Sequence, residues 1–189
     1  MIRTKEHWFK HRQILEPYRV RPGDFRTTPA PVLNITEVFP ELIGRSKITV
    51  RLNPRYGEEP PIGASKLEGK FFWPANEHWP ICKQHGTPLI GVLQLRAEDF
   101  PEMLFYPGTD LFQLLWCPRW HDNWLMVWAD PAFFWRQTQD IQNPRMDNPA
   151  AVEPDYEFLL VPCCLLPERI VEYPSVYEVE ENLRDRIHE

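Results

Sequence analysis

The chain has 189 residues, 43% of them hydrophobic and 13% aromatic, with 21 prolines and a net charge of −6. Apolar material on this scale sets aside a disordered chain, and so many prolines set aside long helices in favour of short strands joined by turns. The acidity argues against general nucleic-acid binding, and no run of about 18 apolar residues is present to span a membrane.

In chain order, residues 5–16, KEHWFKHRQILE, predict a short amphipathic helix ending at Pro17. Proline-rich residues 17–34 follow as an extended arm. Residues 1–26 carry seven Lys/Arg against three acids, so residues 1–34 read as an N-terminal helix and basic arm. Residues 35–189 read as one β-rich domain. SKITVRL, 46–52, alternates as a half-buried strand with Ile48, Val50 and Leu52 on one face, and 53–63 is a Pro/Gly loop.

Four apolar runs, 88–95, 110–117, 123–129 and 156–166, predict strands buried on both faces. AEDFPEM, 97–103, is a turn between two of them. The polar stretch 137–155 is the expected mobile loop, and 176–187 a terminal helix. The fold class is therefore α+β: mainly antiparallel sheet with short flanking helices, Pro-rich loops and a candidate zinc clip. Residues 151–189 hold ten acids against three Arg, an acidic end suited either to solvent or to a basic partner.

The clip is read from two pairs, Cys82-x-x-His85 and Cys117-x-x-x-His121. Zn²⁺ takes four N/S ligands in a tetrahedron, commonly as two such pairs from separate segments. Gly86 and Pro118 stand beside the ligands, where a knuckle turn would place them. The competing reading makes Cys82 and Cys117 small buried hydrophobes and the histidines turn residues. Cys163 and Cys164 sit in an apolar run and read as core, and His78 is an alternative ligand. A zinc held by four protein ligands is structural, because no position is left open for water.

The order SKLEGKFFWP (65–74), WPICKQHGTPLIGVLQL (79–95) and LFQLLWCPRWHDNWLMVW (111–128) resembles the YwqG-like family of bacterial proteins. More distantly it is similar to the programmed cell death protein 2 family. Ser65, Lys66, Gly69, Trp73, Pro74, Cys82, Pro88, Leu89, Gln94, Leu95 and Cys117 match the shared pattern, over roughly residues 62–179. Glu68 replaces the first glycine of a pair and Phe72 a proline, and His85 and His121 stand where some relatives carry cysteines. The later Gly-Gly segment of the bacterial family is not apparent.

Gln94, alone on an apolar strand, either aims a polar group into a pocket or bonds neighbouring backbone. The tryptophans at 73, 79, 116, 120, 124, 128 and 135 line either a groove or a core. Lys66 beside Gly69 raises an anion site, without a phosphate-binding loop. No elbow, nucleotide loop or acid–base pair marks an enzyme, and Asp99, Glu102, Asp122 and Asp130 are not paired into one.

The expected function is a non-catalytic protein-binding module. The resemblance implies either an immunity protein that neutralises a toxin or a chaperone for one client protein. A small-ligand sensor, or an enzyme of unrecognised type, is the alternative. No secretory signal is visible, and four cysteines in a chain of this length suit a reducing cytoplasm. The expected partner is thus a protein, not a membrane or a nucleic acid.

Overall fold

The computed structural model describes residues 32–122, 127–150, 154–155 and 158–188. The expected N-terminal helix, and nearly all of the basic arm, lie outside them. In chain order come helix α1 (Ile35–Val38), then strands β1 (Lys47–Arg51), β2 (Pro54–Tyr56), β3 (Lys66–Leu67), β4 (Ile90–Arg96) and β5 (Leu111–Trp116). These are followed by β6 (His121–Asp122), β7 (Val127–Trp128), β8 (Pro131–Arg136), β9 (Cys163–Leu165), β10 (Glu168–Glu172) and helix α2 (Glu181–His188). The fold is α+β and mostly antiparallel sheet. Its described residues form two compact units, Pro54–Leu166 and residues 32–53 with 167–188.

In the second unit β1 pairs antiparallel with β10, setting Ile48 opposite Val171. The sequence expectation that Ile48 faces a core is corrected here: Ile48 is 59% and Val171 58% exposed. A two-stranded ribbon has no third layer to give both faces cover. The unit's core is instead Leu42, Val179 and Leu183, with Ile35, Phe39, Tyr173 and Ile187 packed around it. Asn34 caps α1 by accepting from the Thr36 amide. The terminal helix runs from Glu181, later than the expected start at 176, because residues 176–180 form turns before it.

The first unit is built on a six-stranded sheet in the order β2-β9-β3-β4-β5-β8, every neighbour antiparallel. The runs at 88–95 and 110–117 form β4 and β5, adjacent strands with neighbours on both sides. Three further expectations are corrected. Residues 54–56, assigned to a loop, pair with β9. Among its described residues, the run 156–166 is strand only at 163–165. β8 and β10 are strands where the sequence pattern predicts none.

The loop 137–155 is also less free than expected in its described part. The Ala75 amide donates to Asn143 O, the Arg145 amide to Trp73 O, and Asn148 Nδ2 to Gly69 O. Ile141 is buried among its neighbours.

One face of the sheet is covered by the segment 69–79. Phe71, Trp73 and Trp79 cluster there with Leu89, Leu115, Cys82 and Cys117, and Ala132 and Phe134 pack alongside. Gly91 lies directly beneath Phe71: a Cβ at this position would come within 2.8 Å of the ring. Gly91→Ala should therefore cost about 1–3 kcal/mol, as overpacking does. Equilibrium urea unfolding checks this, and a neutral substitution would mean that Phe71 is not seated on β4.

The same face carries a row of polar side chains in direct register. Lys66 stands opposite Gln94, and Gln94 opposite Gln113, so all three point the same way. Lys66 is fully buried, and its ammonium donates to Pro60 O at 3.2 Å and Lys70 O at 2.8 Å. Two of its three donors go to backbone and the group is sealed from solvent, so the anion site raised from the sequence is not presented. Gln94 Oε1 accepts from the Phe72 amide, while its Nε2 donates to Ile62 O and Ala64 O. Gln113 Nε2 donates to Phe72 O and to Gln94 Oε1. The two amides thus bond both backbone groups of Phe72 and fasten the covering segment to the sheet.

Burial lowers the Lys66 pKa from 10.5 to about 8, partly opposed by Glu59 and Glu68. Burial likewise raises the Glu68 carboxyl from 4.5 to about 7. The signs differ in consequence. Between pH 4.5 and 7 the folded chain keeps a proton on Glu68 that the unfolded chain has lost, so this group's contribution to stability falls as pH rises. Between pH 8 and 10.5 the unfolded chain holds the extra proton, on Lys66, and stability rises with pH. Glu68→Gln should therefore be more stable than the parent above pH 7, with the gap closing toward pH 4.5. A gap independent of pH, measured by urea midpoints, would remove the burial argument for Glu68.

Candidate metal centre

Two turns in the first unit bring the Cys/His pairs together. The first spans residues 80–89. Ile81 bridges to Pro88, the Cys82 amide donates to Thr87 O, and the Gly86 amide donates back to Cys82 O. Gly86 takes φ +63°, in the left-handed region that closes such a turn. Trp79 seals its base by donating from Nε1 to Leu89 O at 2.7 Å. The turn is tight because Cys82 and His85 then project from its tip toward one point.

The second turn leaves β5 at Cys117, whose amide donates to Ala129 O, and ends at His121, which pairs with Trp128 across β6 and β7. Asp155 braces it from a distance in sequence. Its amide donates to Pro118 O, and its carboxylate accepts from the Trp120 amide at 2.8 Å. Nothing local in the sequence marked Asp155 for this task, since the contact depends on how the chain returns.

The four side chains named from the sequence all meet. The ligand atoms of Cys82, His85, Cys117 and His121 lie within 4.8 Å of one another and could hold a metal ion. Cys82 Sγ is 3.6 Å from His85 Nδ1 and 3.4 Å from His121 Nε2, and Cys117 Sγ is 3.3 Å from His85 Nδ1. One histidine therefore presents Nδ1 and the other Nε2. The imidazoles meet edge to face, with centroids 4.6 Å apart. Cys82, Cys117 and His121 are buried and His85 is half-buried.

Burial, reinforced by the neighbouring Cys82, pushes the Cys117 thiol up to about 12. The Cys117 thiol in this position resists ionisation unless a cation lies beside it. Asp130 stands at the rim, its carboxylate 4.0 Å from His121 Nε2, on a non-glycine backbone at φ +45°. The sequence reading grouped Asp130 with unpaired carboxylates and missed its place here.

The remaining candidates fall elsewhere. His78 is exposed and outside the group. Cys163 and Cys164 lie on β9, and burial raises the Cys163 thiol to about 11. Trp73 and Trp79 are core, whereas Trp120 and Trp128 are 41% and 38% exposed. Among the described residues no helix is long and apolar enough to cross a membrane. No family model matches the chain, and no curated protein is similar enough to count as a relative.

Proposed function

We propose that the chain is a non-catalytic protein-binding module, closed by one structural zinc ion, and a divergent relative of the YwqG-like proteins it resembles. The observation that carries the zinc reading is the spacing of the four ligand atoms. A tetrahedron with Zn–S near 2.3 Å and Zn–N near 2.0–2.1 Å has S–N edges of about 3.5 Å. Three of the four S–N separations here are 3.6, 3.4 and 3.3 Å, and all the ligand atoms lie within 4.8 Å of one another. Two thiolates and two neutral imidazoles neutralise the ion, fill its coordination and leave no position for a substrate water. The role is then to tie the 80–89 turn to the 117–121 turn.

One backbone detail supports the resemblance. Glu68 stands where those families carry a glycine, and it takes φ +56°, the left-handed region in which glycine is at ease. A protein client, either a toxin to be neutralised or a protein to be escorted, suits the acidic C-terminal stretch and a cytoplasmic setting that keeps the thiols reduced.

Affinity purification of the full chain from its native cell tests the binding role. One protein recovered at equal stoichiometry supports it, and recovery of the zinc-loaded chain alone overturns it. For that partner, replacing acids among residues 153–181 with amides should slow association about tenfold and flatten its salt dependence. Unchanged association kinetics would remove the acidic stretch from recognition.

A further inference from the structure

One carboxylate stands just outside the Cys/His group. Asp130 lies 4.0 Å from His121 Nε2, and 54% of its side chain is open to solvent against 5% for His121. Two nitrogen or oxygen ligands of one zinc tetrahedron stand about 3.3 Å apart. Asp130 is therefore too far out to be a ligand of the closed group, and within a small side-chain movement of becoming one. Its backbone is tied to a ligand residue. The Cys117 amide is shared between Ala129 O at 3.0 Å and Asp130 O at 3.3 Å. Asp130 also takes φ +45°, a conformation that glycine adopts more readily.

This contact differs from the common brace of a ligand histidine, in which a carboxylate accepts from the ring nitrogen that the metal does not use. Here Asp130 faces Nε2, and Nε2 is also the nitrogen 3.4 Å from Cys82 Sγ. With an ion on Nε2, that nitrogen has no hydrogen to give, so the carboxylate faces the ion's own charge. The His121 ring is its only ionic partner among the described residues. Cys82, Cys117 and His121 are buried, whereas His85 is half-buried and Asp130 exposed.

We infer that Asp130 is the exchange ligand of the metal centre, the group through which a zinc ion leaves and is replaced while the chain stays folded. The inference rests on the zinc reading. In the exchange step His85, the least buried ligand, takes back the electron pair it shares with the ion. A carboxylate oxygen of Asp130 donates a pair in its place, with no redox change. The ion is then held in part by an exposed oxygen donor, where a competing chelator can reach it.

Transfer of labelled zinc from the loaded, folded chain to excess chelator tests this, with urea midpoints measured alongside. Asp130→Asn keeps the shape of the side chain and suits a positive φ, but replaces the carboxylate with a poor zinc ligand. It should hold one zinc per chain, keep the parent's urea midpoint and release the ion about tenfold more slowly, the lower end of what residues just outside a metal's ligands contribute. Asp130→Glu should recover most of the parent's rate, and Glu68 at φ +56° shows that this chain accommodates a glutamate in such a conformation. Release from Asp130→Asn that is unchanged or faster overturns the inference, and the faster result is the one expected of a carboxylate that merely steadies the centre. Asp130→Glu as slow as Asp130→Asn overturns it too, since the carboxylate would then not be the agent. A parent without stoichiometric zinc ends both readings, whereas a loaded parent with an unslowed variant ends this one alone.

Discussion

Serine in place of Cys117 is expected to remove stoichiometric metal and unfold the unit built on Pro54–Leu166 at ambient temperature. The parent chain should carry one zinc by metal analysis, and the variant none. Structural zinc contributes on the order of 10 kcal/mol of apparent folding free energy in zinc-finger peptides. A domain of this size has roughly 5–15 kcal/mol in total, so losing even half of the metal's share exhausts most of it. Cys117 is fully buried in the cluster that also holds Phe71, Trp73 and Leu115. Loosening it therefore disturbs the seat of the covering segment as well as the two turns.

A buried thiol exchanged for a hydroxyl carries a cost of its own, about 1–3 kcal/mol when the hydroxyl finds no partner. The control is therefore the parent protein treated with a strong chelator. If a metal links the turns, chelated parent and Cys117→Ser should melt alike, and Cys163→Ser, whose thiol lies on β9, should keep its metal and respond to chelator as the parent does. If Cys82 and Cys117 are only small apolar residues, chelator changes nothing and the serine variant loses just the smaller amount. That second pattern would end the zinc reading and leave the sheet intact.

The Cys/His group was readable in the sequence because each half of it is local. A cysteine and a histidine three or four residues apart, beside Gly86 or Pro118, describe a turn tip without reference to the rest of the chain. β4 and β5 were readable for a similar reason: apolar runs of this length have few other uses. β8 was passed over although PAFFWR is rich in strand-forming residues, since it opens on a proline directly after a dense aromatic run. Pro131 is tolerated there because it is the first residue of a strand at the sheet's edge. β1 and β10 pair across more than a hundred residues of intervening chain, and no local pattern states which distant partner a charged five-residue strand will take.

The polar row across the sheet was hidden for the same reason. Gln94 and Gln113 are 19 residues apart, and Gln113 and Arg136 are 23 apart. Each is a polar residue set among apolar or aromatic neighbours, and only antiparallel register lines them up. The sequence allows Gln94 to be either a pocket group or a backbone-bonding one. Its bonds to Phe72, Ile62 and Ala64 decide for backbone.

Gln94→Leu should accordingly destabilise the chain by about 3–5 kcal/mol, a large effect for a residue remote from the Cys/His group. Leucine supplies comparable bulk and better transfer energy, so area alone favours it. The opposing terms are larger. The Phe72 amide and the Ile62 and Ala64 carbonyls lose their partner together, and Gln113 loses the oxygen it donates to at 2.9 Å. An orphaned buried polar group costs about 1–3 kcal/mol, so three or four of them outweigh a favourable side chain even if water reaches one.

Gln113→Leu should cost less, since Phe72 would keep the bond from its amide. The double variant should fall short of the sum by about 0.5–3 kcal/mol, because the two amides share one bond and one tethered segment. Phe71 and Trp73, held down by that tether, pack in one cluster with Cys82 and Cys117. The single variants should therefore also surrender zinc to a chelator faster than the parent, although neither residue touches a ligand. Strict additivity, with an unaltered chelation rate, would mean that the amides are separate surface-like contacts and that the covering segment is held by its aromatic rings alone.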